Sequence, residues 1–224
     1  MTYYPIHLDV RDRPCLVVGG GGVGTRKVSG LLGRGARITV VSPEATDSLT
    51  ELARTGRITL HRRAFTESDL DGAFLVMGAT DDENLNRRIH AAAEARGVLC
   101  NIADRPEICQ FILPAVIRRG DLTITVSTSG RSPALAKAIR RELEGQFGPE
   151  YAEMLRLMGA IRARLLAEAH APEAHKPLFE ALIAGDLLGL IRTEDVDGID
   201  ALMAEVLGPG FRYRELIAEA PPCS

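Results

Sequence analysis

Three groups of residues have types and spacing that suit chemistry. The first is Gly19-Gly20-Gly21-Gly22-Val23-Gly24, which follows the short apolar run Cys15-Leu-Val-Val18. Gly19, Gly21 and Gly24 fit the G-x-G-x-x-G spacing, with roles in the turn, the phosphate approach and helix–strand packing. A helix starting there offers free N–H groups and the positive end of its dipole, a ready seat for a pyrophosphate. The chemistry is dinucleotide binding; the alternative is an ordinary glycine turn. The second is Asp104 in Asn101-Ile-Ala-Asp104-Arg-Pro106. A carboxylate just beyond a strand can act as a base or orient a substrate. It can equally be an Asp turn that bonds its own backbone. The third is Ser127-Thr128-Ser129-Gly130-Arg131-Ser132, ahead of Pro133. Small polar residues at a helix start suit an anion. Arg118, Arg119, Lys137, Arg140 and Arg141 stand near it in the sequence. Such charges form a solvated face or hold the carboxylates of an acidic substrate.

Two further stretches belong with the glycines. Dinucleotide sites usually carry an acidic residue about twenty positions on, for the ribose hydroxyls. Here the chain reads Val40-Val41-Ser42-Pro43-Glu44, with no acid at the expected strand tip. Ser42 is placed to bond a ribose oxygen, or Glu44 to fold back, and NAD against NADP stays open. Thr80-Asp81-Asp82 suits a helix cap, and its place after a strand also turns Thr80 toward the cofactor crevice.

The elements that must position these groups follow from periodicity. Ile6-His-Leu8 is a candidate edge strand. A helix over 23–32 ends at Gly33-Arg-Gly35. Arg37-Ile-Thr-Val-Val41 is a β-branched strand, broken by Ser42-Pro43, and a helix over 44–54 follows. Strands over 57–61, 74–79 and 98–102 flank a helix over 83–95, on which Leu85, Ile89 and Ala92 or Ala93 share one face. Alternating strands and helices with short connections predict a parallel, doubly wound α/β sheet of Rossmann type. Phe111-Ile-Leu-Pro-Ala-Val-Ile117 and Leu122-Thr-Ile-Thr-Val-Ser127 read as a β-hairpin around Arg118-Arg-Gly-Asp121. Ser132 and Pro133 then open a helix to about 144. The rest is helical. The longest helix spans 151–169, with Met154, Leu157, Met158, Ile161 and Leu165 at core spacing.

Three parts result: a nucleotide-binding unit over 1–112, a hairpin and helix over 113–146, and a helical domain over 147–224. A hairpin alone buries too little to stand. It extends the first sheet or pairs with a second copy of the chain, and pairing into a homodimer is the favoured expectation.

Bulk properties agree with an ordinary globular enzyme. The 224 residues are 46% hydrophobic and 25% charged, enough for a core without staples. A net charge of −3 gives no reason to expect nucleic acid. No apolar run is long enough to span a bilayer, so no membrane partner is expected. The start, Met1-Thr-Tyr-Tyr-Pro5, lacks the layout of a signal peptide, and a cytoplasmic address is the expectation. Cys15, Cys100, Cys109 and Cys223 are scattered and read as reduced thiols. His170 and His175 are five apart, off a shared helix face, and no local metal site is expected.

Taken together, the stretches resemble the precorrin-2 dehydrogenase family, the sirohaem-synthase module that oxidises precorrin-2 to sirohydrochlorin with NAD. The matching residues are Pro5-Ile6, Arg11-Asp-Arg13, Val17-Val-Gly-Gly-Gly21, Arg26-Lys27, Gly35-Ala36 and Ala79-Thr-Asp-Asp82. Asn101 through Asp104, Phe111-Ile-Leu-Pro114, Val126-Ser127 and Ser132-Pro133 continue the match, in order, over about the first 145 residues. No methyltransferase domain follows, so the stand-alone form is expected. The resemblance implies a Rossmann domain, an intertwined dimerisation region and a small helical domain. It implies NAD bound near Gly22-Val23 and Pro43-Glu44. It places the family's functional aspartate on Asp104 and a serine phosphorylated in some relatives on Thr128. The polycarboxylated substrate gives Arg118, Arg131 and the Ser127–Ser132 stretch a task. Some relatives also insert ferrous iron, with the same aspartate taking part. Two rivals remain: another NAD-dependent oxidoreductase of a small acidic metabolite, and a non-catalytic dinucleotide-sensing module.

Overall fold

A computed structural model describes residues 3–168 and 175–220. The chain divides into two compact units, one of Met1–Leu113 with Ser129–Arg131, the other of Pro114–Thr128 with Ser132–Ser224.

The first unit is a five-stranded sheet in the order β3-β2-β1-β4-β5. The strands are β1 (Pro14–Gly20), β2 (Arg37–Ala45), β3 (Thr59–His61), β4 (Leu75–Gly78) and β5 (Leu99–Ile102), and every pairing is parallel. Helices α1 (Gly22–Leu32), α2 (Asp47–Arg54) and α3 (Glu83–Ala95) make three of the four crossovers, and the β3–β4 connection carries only a 3-10 turn over Glu67–Leu70. The central strands read as continuous apolar runs because both faces are covered. On one face Cys15, Val17, Met77 and Leu99 pack with Val28 and Leu31 of α1. On the other Leu16, Val18, Val76 and Cys100 pack with Ile89, Ala92 and Ala93 of α3. The Rossmann-type sheet expected from the alternation is therefore present. The strand order reverses at β1 and β4, so a crevice opens at their carboxyl ends.

Two local expectations are corrected. Ile6-His-Leu8 forms no strand, and Ile6 is 66% exposed. Without a sheet edge to pair with, apolar residues alone do not make a strand. Ser42-Pro43 does not end β2, which runs on to Ala45, and α2 begins at Asp47 under the Thr46 cap rather than at Glu44. Proline lacks the ladder donor and is tolerated at bulges. Here the register runs from Val18↔Val41 to Gly20↔Ala45, so one β1 residue faces three of β2 and Ser42–Glu44 bulge out of the ladder.

The second unit carries an antiparallel pair, β6 (Ala115–Arg119) and β7 (Leu122–Val126). The first strand of this hairpin starts after Pro114, later than its apolar run suggests, because residues 111–114 take no ladder bonds. Gly120 supplies the positive φ, 56°, that a glycine-first two-residue turn requires. The pair is a separate two-stranded sheet, so it does not extend the first one. It packs on α4 (Pro133–Gln146) and α5 (Glu150–Ala167). The side chain of Arg119 donates to the carbonyls of Phe147, at 2.7 Å, and Glu144, at 3.1 Å. A cation there complements the end of α4.

Helices α6 (His175–Ala184), α7 (Leu187–Arg192), α8 (Val196–Leu207) and α9 (Tyr213–Glu219) complete the unit. Their core gathers Met154, Leu157, Ile161 and Leu165 of α5 with Leu182, Leu187, Ile199 and Met203. Each fully buried Leu or Ile contributes roughly 1.5–3 kcal/mol. The expected end of α5 at Ala169, His170 and the tail cysteine Cys223 lie outside the described residues.

Candidate functional site

The site starts at Gly19. Its φ is 113°, and a Cβ there would stand 2.2 Å from the carbonyl oxygen of Ala79 on the neighbouring loop. Both facts admit only glycine. A Cβ on Gly24 would stand 2.0 Å from the carbonyl oxygen of Gly19, so its role is the close seating of α1 on the strand end. Gly21 and Gly22 are different, since a Cβ on either would meet no protein atom within 4 Å. Gly21 is the N-cap of α1, in extended backbone and with no side-chain cap. No acidic residue occupies the first turn. The first amides of α1 thus lack a side-chain acceptor and face open space. A phosphate fits there by charge, by donor direction and by room.

A cleft of about 790 Å³ opens beside this turn. Gly19, Gly20 and Gly21 form its floor. The β2 bulge supplies one wall through Ser42, Pro43 and Glu44. Ser42 is only 8% exposed. Ala64 and Phe65 close the end beyond β3. Thr80, Asp81 and Asp82 supply the opposite wall, with Asn84, Leu85 and Arg88 of α3 above them. Asp82 is also the N-cap of α3, accepting from the Leu85 amide at 3.1 Å, and Thr80 Oγ1 accepts from the Asp82 amide at 3.1 Å. Both expected uses of that stretch, cap and crevice wall, coexist. Asn86, 4% exposed, donates to the Thr80 carbonyl at 2.9 Å and holds the loop. The volume and the mixed lining suit a nucleotide.

Of the residues singled out for the cofactor, Gly19, Gly21, Ser42, Pro43, Glu44 and Thr80 line one cleft. Gly22 and Val23 begin α1 beside it, and Gly24 is buried beneath. Sequence reasoning missed Thr46, Phe65 and Arg88, which also line it. Thr46 caps α2 through its hydroxyl, 3.4 Å from the Leu49 amide, and bonds the Thr25 hydroxyl at 2.9 Å. Its signal was the Thr-Asp pair that opens α2. Phe65 and Arg88 carry no local signal, because only the fold brings them to the cleft.

Asp104 lies two residues beyond β5, on the same carboxyl edge of the sheet as the glycine turn. Its φ is 59°, in the left-handed region. The carboxylate is exposed and accepts no hydrogen bond among the described residues, so the self-bonded Asp turn does not form. Behind it lies a polar cluster. The Lys27 ammonium donates to Asn101 Oδ1 at 3.1 Å. The Asn101 amide donates to the Phe111 carbonyl at 2.9 Å. Cys109 Sγ accepts from the Ile102 amide at 3.1 Å. Burial pushes the Lys27 ammonium below its ordinary range, while Cys109 and Asp104 pull it back. Burial also raises the Cys109 thiol and pushes Cys100 up to about 12, so both stay protonated near neutrality.

The residues singled out for an anionic substrate divide between the units. Ser129 and Arg131 go with the first; Arg118, Ser127, Thr128 and Ser132 go with the second. Ser132 caps α4, accepting from the Leu135 amide at 3.2 Å. Thr128 Oγ1 donates to the Ser132 carbonyl at 3.0 Å and accepts from its amide at 3.1 Å. These hydroxyls are engaged in the loop itself. The side chains of Arg118 and Arg131 are exposed.

The family model described as "Putative NAD(P)-binding" matches residues 6–115, and that described as "Sirohaem biosynthesis protein central" matches residues 119–146. The chain is 35% identical to the siroheme synthase of Nitrosococcus oceani over 211 residues, 94% of this chain and 45% of that protein. It is 37% identical to the siroheme synthase of Methylococcus capsulatus over 202 residues, 89% and 43% of the two chains. It thus spans under half the length of these relatives. Among solved structures, SirC, a precorrin-2 dehydrogenase, aligns with a TM-score of 0.71 at 29% identity, covering 81% of this chain and 89% of SirC.

Proposed function

We propose that this chain, a member of the sirohaem synthase family, oxidises precorrin-2 to sirohydrochlorin with NAD, as its likeness to SirC suggests. The observation that carries the reading is the unbonded carboxylate of Asp104 on the same sheet edge as the open glycine turn. The oxidation removes a hydride and a proton from the reduced macrocycle. Bound NAD would supply the acceptor for the hydride. The protein's residues do the rest. The α1 amides hold the pyrophosphate, and Ser42 and Glu44 take the ribose hydroxyls. A carboxylate at Glu44 on the β2 wall supports NAD over NADP, because it would repel a 2′-phosphate held beside it. Asp104 receives the departing proton or orients the ring edge that loses it. Arg118, Arg131 and the 127–132 stretch are candidates for the substrate's carboxylates by charge and type alone, the Thr128 and Ser132 hydroxyls only by exchanging the loop bonds they now make.

Anaerobic incubation with precorrin-2 and NAD tests the reading through the visible spectrum of sirohydrochlorin. Binding of NAD without product would favour a dinucleotide-sensing module instead. Ferrous ion added afterwards tests iron insertion in the same cuvette. Asp104→Ala is expected to keep NAD binding and lose most of the turnover, a drop on the order of 100-fold for a general base. Unchanged rates with precorrin-2 would remove Asp104 from that role.

A further inference from the structure

We propose that Lys27 and Asn101 are positioning residues for Asp104. The Lys27 ammonium fixes the Asn101 carboxamide, and that carboxamide holds the loop that presents the Asp104 carboxylate. The inference rests on the role given to Asp104 above.

Asn101 is an anomaly in its layer. It sits in β5 opposite Met77, on the face whose other members, Leu99, Met77 and Val28, are apolar. It is 6% exposed. A buried amide must have its groups satisfied, and the orientation is set by its partners. Oδ1 accepts from Lys27 Nζ at 3.1 Å. The amide nitrogen donates to the Phe111 carbonyl at 2.9 Å and lies 3.6 Å from Cys109 Sγ. Turned over, the carboxamide would set its N–H groups against an ammonium. Lys27, together with the Phe111 carbonyl, therefore sets which way Asn101 points.

What Asn101 grips is the far end of the Asp104 loop. The loop leaves β5 at Ile102 and returns beside it at Cys109 to Phe111. Cys109 Sγ ties its two ends, accepting from the Ile102 amide and lying 3.1 Å from the Arg105 carbonyl. Gln110 closes the same end, its Oε1 accepting from the Cys100 amide at 2.7 Å and its own amide donating to the Cys100 carbonyl. In the middle stands Asp104 in a left-handed conformation. Aspartate enters that region more readily than most side chains.

Lys27 itself has no carboxylate within 4.0 Å among the described residues, although its side chain is half-buried. Cys109 and Asp104 are the groups that favour its charged form. A half-buried cation whose contact partner is a neutral amide makes no ion pair there to offset its lost hydration. A role in presenting Asp104 explains its place.

The test uses the whole chain, NAD and precorrin-2. Lys27→Met is expected to lower kcat at least tenfold and leave the Kd for NAD within about twofold. Lys27→Arg, whose guanidinium can still donate to Asn101, is expected to recover most of the rate. In an Asp104→Asn background, Lys27→Met should cost nothing more, because a residue acting through Asp104 has nothing left to act on. Wild-type kcat in Lys27→Met would overturn the proposal. So would an equal loss in the Asp104→Asn background, or NAD binding lost in step with the rate and not restored by Lys27→Arg. A wild-type protein that yields no sirohydrochlorin fails the functional reading itself, and the proposal falls with it.

Discussion

At the scale of the residue, the glycines divide by what surrounds them. Gly24 is held by protein, since a Cβ would meet the Gly19 carbonyl at 2.0 Å. Gly24→Ala should lower stability by about 1–3 kcal/mol, the usual cost of overpacking, and show as a lower Tm without cofactor. Gly22 is held by nothing in the protein. Gly22→Ala should keep the Tm and weaken NAD binding, because its methyl enters the space left for the phosphate. An unchanged Kd would mean the pyrophosphate does not approach there. Glu44 offers a test of cofactor choice. Glu44→Arg replaces the carboxylate of the β2 wall with a cation and should shift the NADP-to-NAD Kd ratio toward NADP about tenfold, or ~1.4 kcal/mol. Ratios unmoved in parallel titrations would take Glu44 out of the ribose site. The spacing of Gly19, Gly21 and Gly24 was legible in the sequence because a phosphate turn is built from consecutive residues. Phe65 and Arg88 were not, because they reach the cleft from other crossovers.

At the scale of the element, caps and turns were readable where the chemistry is local. Asp82 caps α3 and Ser132 caps α4, as their types and places suggested. The end of β2 was not readable, because Ser42-Pro43 breaks an isolated strand but bulges from one paired to β1. That pairing turns a strand end into a wall of the cleft. In the helical unit, α9 is tied to α5 by the Tyr213 hydroxyl, which donates to Glu153 at 2.7 Å. Burial first, then that bond, pushes the Tyr213 phenol up to about 12 from 10.0. A raised value means that folding favours the neutral phenol. Its contribution is full below pH 10 and is lost as pH climbs toward 12. Tyr213→Phe should therefore lower stability near neutrality by about 1 kcal/mol and flatten the loss between pH 10 and 12. Helix melting followed across that range checks it, and parallel curves for the two proteins would refute it.

At the scale of the whole molecule, the hairpin bears on assembly. Within the chain β6 and β7 pair only with each other among the described residues, so each leaves an unpaired edge. Such an edge is a template for another strand. With the first sheet excluded as its partner, a second copy of the chain is the occupant we propose. Light scattering at working concentration should give twice the chain mass of 24.2 kDa, and a monomeric mass would count against it. Among the described residues no helix is long and apolar enough to cross a membrane.

The sequence by itself determined the parallel doubly wound sheet, the glycine turn at its first strand end and the helices up to α5. Each rests on periodicity or on neighbours within one turn of chain, and these act before any tertiary contact forms. Only the tertiary structure decided which side chains share a site. Residues as far apart as Lys27 and Asn101 meet because α1 and β5 pack on one face of the sheet. The unbonded state of the Asp104 carboxylate is likewise tertiary. Its loop is held at its ends by Asn101, Cys109 and Gln110, with the aspartate between them.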